Sequence, residues 1–180
     1  MTFVAFFAAI ASPELRALAR HWQDARGDGH TPPRRIPAWR DIDPVEIGRN
    51  LRYVWSWRYD RATDEFTGRL AGEEIDRAFG KSLRGIAMRD FYATEVYELI
   101  FPRFRRVVVE PGFMYGEGMV FARMGRSVVG ERIMMPLAED GQTGDGIIGA
   151  TIYRPIPQPE QELPLGPDLA PEQVTFFPLG

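Results

Sequence analysis

The sequence predicts an α+β fold: a five-stranded antiparallel sheet with helices on one face, an N-terminal helical arm before it and a proline-rich tail after it. Three observations carry this prediction. Tyr53 to Tyr59 alternates large aromatics with smaller or polar residues, and Glu65 to Leu70 returns the chain after a turn at Asp60 to Asp64, which is a hairpin pattern. Between Gly72 and Val109 the apolar residues recur at helical spacing. From Gly112 onward the period returns to two, in three further stretches that end near Tyr153. A chain of 180 residues buries a core without covalent staples. The expected organisation is an arm and linker over 1–37, the domain over 38–154 and an extended tail over 155–180.

Phe3, Phe6, Phe7 and Ile10 fall on one helical face, which either docks on the domain or forms a dimer contact. Ser12-Pro13-Glu14 is a helix start, and Leu15, Leu18, Ala19, Trp22 and Ala25 make the apolar stripe that follows. This stripe is expected to cover the outer sheet face or a second protomer. The polar, proline-rich run from Asp28 to Pro37 reads as a linker. Asp43-Pro44-Val45-Glu46 has an acceptor at the N-cap, proline at the first helical position and glutamate at N3. After the hairpin, Gly72 to Gly80 gives a short helix, with Ile75 and Phe79 one turn apart and Gly80 as its stop. Thr94 is positioned to cap the longest helix, in which Pro102 predicts a kink or break. Gly116 and Gly118 on either side of Glu117 predict a bulge or a close backbone approach in the third strand. Recurrent prolines from Pro155 to Pro178 predict an extended tail.

Charge and composition narrow the function classes. A net charge of -3 offers no general field for nucleic acid or anionic membrane. The apolar run at Phe3 to Ala11 is too short to span a bilayer and lacks a basic leader, so a cytoplasmic location is expected. With no cysteine there is no disulfide, thiolate metal site, cysteine nucleophile or cysteinyl-flavin chemistry. The two histidines, His21 and His30, both precede the domain, which argues against haem ligation and histidine catalysis within it. Asp41 and Asp43 are better explained by the turn and the helix cap than by acid–base work. Gly141-Gln142-Thr143-Gly144 lacks the lysine of a phosphate loop, and no metal-ligand spacing occurs. No catalytic set is assigned.

Trp22, Pro33-Arg34-Arg35, Trp39 to Pro44, Leu51, Phe66, Arg69-Leu70-Ala71-Gly72, Ile75, Phe79-Gly80 and Leu83-Arg84-Gly85 together resemble the bacterial family of compact single-domain PAS-like proteins. The resemblance covers the first half of the chain closely, the later strands in pattern alone and the tail not at all. It implies a freestanding sensory or signalling module that acts through a protein partner, and brings no catalytic residues with it.

Trp55, Trp57, Phe66, Phe79, Phe91, Phe104, Tyr115, Met119 and Ile148 are the candidate lining of a small apolar cavity; filling the core is their default role. Arg69 and Arg132, inside predicted strands, are the candidate holders of an acidic head group on a ligand; outward-facing arginines are the alternative. Two other readings stand beside the sensor: a ligand-free interaction or dimerisation module, with a homodimer through the arm, and a cone-fold isomerase or dehydratase. The early hairpin and the absence of a domain histidine weigh against the last.

Overall fold

The computed structural model describes residues 2–27, 34–123, 126–155 and 172–179, with side chains except at 119–123, 126–128 and 154–155. His30, most of the 28–37 linker and most of the tail lie outside the described residues, as does the side chain of Met119. Helices α1 (Thr2–Ala9) and α2 (Pro13–Ala25) form the arm, followed by the single turn α3 (Pro44–Ile47). Strands β1 (Val54–Asp60) and β2 (Glu65–Ala71) make the hairpin. Helices α4 (Glu73–Phe79), α5 (Met88–Phe91) and α6 (Thr94–Val109) come next. Strands β3 (Gly112–Arg123), β4 (Arg126–Leu137), β5 (Gly146–Pro155) and β6 (Gln173–Pro178) complete the chain.

The sheet is antiparallel with order β2-β1-β5-β4-β3-β6, so it has six strands and not the expected five. The sixth comes from the tail. Gln173-Val174-Thr175-Phe176-Phe177 is a β-branched and aromatic run, and it pairs with Gly112 to Glu117 of β3. Its one proline, Pro178, is its last residue, where an edge strand tolerates it. The proline count therefore hid a short strand.

Two cores lie on opposite faces of the sheet. Helices α4, α5 and α6 cover one, where Trp55, Trp57, Phe66, Phe104, Val107 and Met134 are buried. The arm covers the other: Phe6, Ile10, Leu15, Leu18 and Trp22 pack with Phe113, Ile133, Met135 and Ile148. The arm's apolar stripe thus lies on the chain's own sheet. Burial of side chains this size contributes about 1.5–3 kcal/mol each. The indole of Trp22 also donates to the carbonyl of Pro136 over 2.7 Å, which satisfies its one polar atom.

Three local expectations resolve differently. Asp43 caps α3 by accepting from the Val45 amide, as its spacing predicts. Ser12 makes no cap bond within α2; its hydroxyl and amide, with the Ala11 amide, all donate to the carboxylate of Glu131 on β4. The cap of α6 is Ala93 rather than Thr94, which is the first helical residue, and α6 continues through Pro102 without a break.

Candidate functional site

The helix-covered face brings together seven of the eleven residues singled out in the sequence. Trp55 stacks on Phe104 with ring centres 5.3 Å apart and planes 21° apart, and its indole donates to Thr151 Oγ1 over 2.9 Å. Phe66 meets Phe104 edge-on, Trp57 meets Phe91 edge-on, and Phe79 meets Phe91 at 4.9 Å. The period of two along β1 puts both tryptophans on this face, and the helical spacing of Ile100, Phe104 and Val107 lays α6 over them. Trp55, Trp57, Phe79 and Phe104, together with Tyr92, Arg132 and Thr151, line a cavity of about 10 Å³; Phe66 and Phe91 pack outside it. That is space for about one water molecule.

Arg132 is the charged member of this site. It is 8 % exposed, and its guanidinium lies 3.5 Å from the carboxylate of Glu172, the residue just before β6. The same carboxylate accepts from Arg103 of α6 over 2.9 Å. Gly116 faces Arg132 across the β3–β4 ladder, and a Cβ there would come within 2.5 Å of Glu172 Oε1. The close approach expected near Gly116 is therefore that of a carboxylate seated between two arginines. Burial pushes the phenol of Tyr92 up to about 12, with Arg132 pulling it down and Glu172 pushing it further up.

The other candidates lie elsewhere. Tyr115 and Ile148 belong to the core under the arm, on the opposite face, because the strand period that selected them does not say which face is which. Burial, then hydrogen bonds to the carboxylates of Glu131 and Glu117, raises the phenol of Tyr115 well above its ordinary value. Arg69 does not reach the cavity; it is exposed, and its guanidinium lies over the ring of Trp39, 4.2 Å from the ring centre. The side chain of Met119 is outside the described residues.

Sequence reasoning missed Glu172 and Thr151, and did not count Arg103 and Tyr92 among the site residues. Arg103 stands in the cluster with Arg105 and Arg106, and all three pair within the chain, with Glu172, Asp64 and Glu110. The usable signal for Glu172 was its place at the head of an alternating run in the tail. Among the described residues no three His, Asp or Glu side chains come together as a metal site. Among them, too, no helix is long and apolar enough to cross a membrane.

No curated protein and no solved structure matches this chain. A family model does: that of the PAS domain matches residues 10–152, from just after α1 to within β5, and so includes α2 and most of both cores. The antiparallel sheet, the short helices between β2 and β3 and this match agree, and the chain belongs to the PAS domain family.

Proposed function

We propose that the protein is a sensory PAS module whose ligand is a small, largely apolar acid, and whose ligand site is here closed by the chain's own carboxylate. The observation that carries this reading is Glu172, held by Arg103 and Arg132 at the margin of the aromatic cavity. Two arginines around one buried carboxylate form an anion site, and a ligand acid competes for it on like terms. The competition has a mechanical consequence. Glu172 immediately precedes β6, so a ligand that replaces its carboxylate loosens the pairing of β6 with β3. A freed edge strand is a change that a partner protein reads directly, by adding a strand of its own.

A second reading has its own support. A cavity of about 10 Å³ holds no organic ligand without rearrangement, which favours an interaction module whose interior is filled by aromatics. One experiment separates the two. Indole-3-acetate and 4-phenylbutyrate are titrated against wild type, Glu172→Gln and Gly116→Ala while the melting temperature is followed. The sensor reading expects both acids to raise the melting temperature of the two variants by several degrees more than that of wild type, with Arg132→Met abolishing the effect. Equal or absent shifts in all four proteins leave the interaction module.

A further inference from the structure

Arg69 is the residue that the β1–β2 register leaves over. Ser56 faces Leu70 and Trp57 faces Gly68, so Arg69 has no residue opposite it on β1. The alternation of β2 reverses at this bulge: Phe66 belongs to the core under the helices, whereas Leu70 packs against the core under the arm. Bulges re-aim side chains in this way and recur beside functional sites. Here the bulge brings Leu70 to the same face as Arg69, whose guanidinium lies over Trp39, opposite to the Glu172 site.

Beside it opens a cleft of about 430 Å³, within the ordinary size of a small-molecule site. Its apolar wall is Ile42, Leu51, Leu70 and Ile148; Arg69, Arg84 and Asp76 supply its charges. Among the described residues, no carboxylate forms an ion pair with Arg69 or Arg84. Asp76 Oδ1 is buried and accepts no hydrogen bond. A buried carboxylate oxygen without a donor is costly, and so calls for one from an occupant. Two guanidinium groups against one carboxylate leave a single positive charge, which suits a monoanion.

We propose that this cleft binds an N-acyl amino acid. The aliphatic chain lies along Ile42, Leu51, Leu70 and Ile148, the carboxylate pairs with Arg69 and Arg84, and the amide N–H donates to Asp76. A simple fatty acid leaves Asp76 without its donor, and an uncharged amide leaves both arginines without an anion.

The test is calorimetric titration of the full chain with N-decanoylglycine, decanoate and the methyl ester of N-decanoylglycine. N-Decanoylglycine binds wild type, and each of the other two binds about tenfold or more weakly for want of one group. Arg69→Gln combined with Arg84→Gln weakens N-decanoylglycine at least about tenfold, while Arg105→Gln, which removes a surface guanidinium paired with Asp64, leaves it unchanged. The proposal is overturned by any of three results: no binding of N-decanoylglycine to wild type, equal binding to the double variant, or an equal loss of binding in Arg105→Gln, which would show that removing any surface positive charge suffices.

Discussion

Arg103 of α6 and Glu172 at the head of β6 meet over 2.9 Å, joining the helical cover to the last strand across 69 positions of sequence. With Arg132 on the far side of the same carboxylate, the contact ties both faces of a cavity wall to one acidic side chain.

The first prediction concerns this cluster. Glu172→Gln leaves Arg132 buried beside a neutral group, and breaking a buried pair in this way costs about 3–5 kcal/mol. Glu172→Met combined with Arg132→Met restores part of the loss, because Arg132 no longer stands beside a missing carboxylate, while Arg103, nearer the surface, still lacks its partner. Urea unfolding of Glu172→Met, Arg132→Met and the double variant gives the coupling energy; additivity within about 0.5 kcal/mol would show that Glu172 is not a counterion of Arg132.

Trp22→Ala should destabilise the protein by about 3–5 kcal/mol, the range for removing a large buried aromatic. Trp22 is fully buried, stands edge-on to Phe113 at 4.9 Å and donates to Pro136. An arm that merely rests on the surface would lose less than about 1 kcal/mol, within the range of ordinary surface substitutions. Unfolding midpoints in urea decide between them.

Glu131 makes the docking of the arm sensitive to acid. Burial works to raise its carboxyl, but the Ser12 hydroxyl, the amides of Ala11 and Ser12 and the Tyr115 phenol outweigh it and hold it below the ordinary value of 4.5. A folded value below the unfolded one stabilises the protein fully above the unfolded value, and that stability is lost as pH falls through the folded value. Wild type should therefore lose stability below about pH 4.5 more steeply than Glu131→Gln. Asp64 and Asp140 are depressed as well, so both proteins keep an acid limb, and the difference between them isolates Glu131. Melting temperatures measured from pH 3 to 7 check this; parallel curves would refute it.

Gly68→Ala should be among the most damaging small substitutions in the hairpin. A Cβ at this position would stand 2.0 Å from the carbonyl oxygen of Leu83, so the segment that pairs with β2 near Gly85 and Ile86 must move away. A loss of about 2 kcal/mol or more is expected, since the clash is with backbone rather than a flexible side chain. Hydrogen exchange at the Gly68 and Gly85 amides, which bond to Ile86 and Gly68 carbonyls, locates the damage. Unchanged protection there would contradict it.

Legible along the chain were the order of elements as far as β5, the hairpin, the cap at Asp43, the apolar stripe of α2 and the aromatic content of the helix-covered core. Each of these is set by neighbours within a few positions, through side-chain period, cap chemistry and turn residues, so a single chain displays them directly. Tertiary structure decided the rest. Tyr115 and Ile148 went to the arm side because a strand's period marks two faces without saying which one the helices cover. Arg69, three positions from Phe66, falls on the other face of β2, and a one-residue bulge that depends on register against β1 brings Leu70 to that face beside it. A partner of Arg132 came from forty positions downstream, through a strand whose alternation the prolines around it masked, and only the closed sheet brings Glu172 to Gly116.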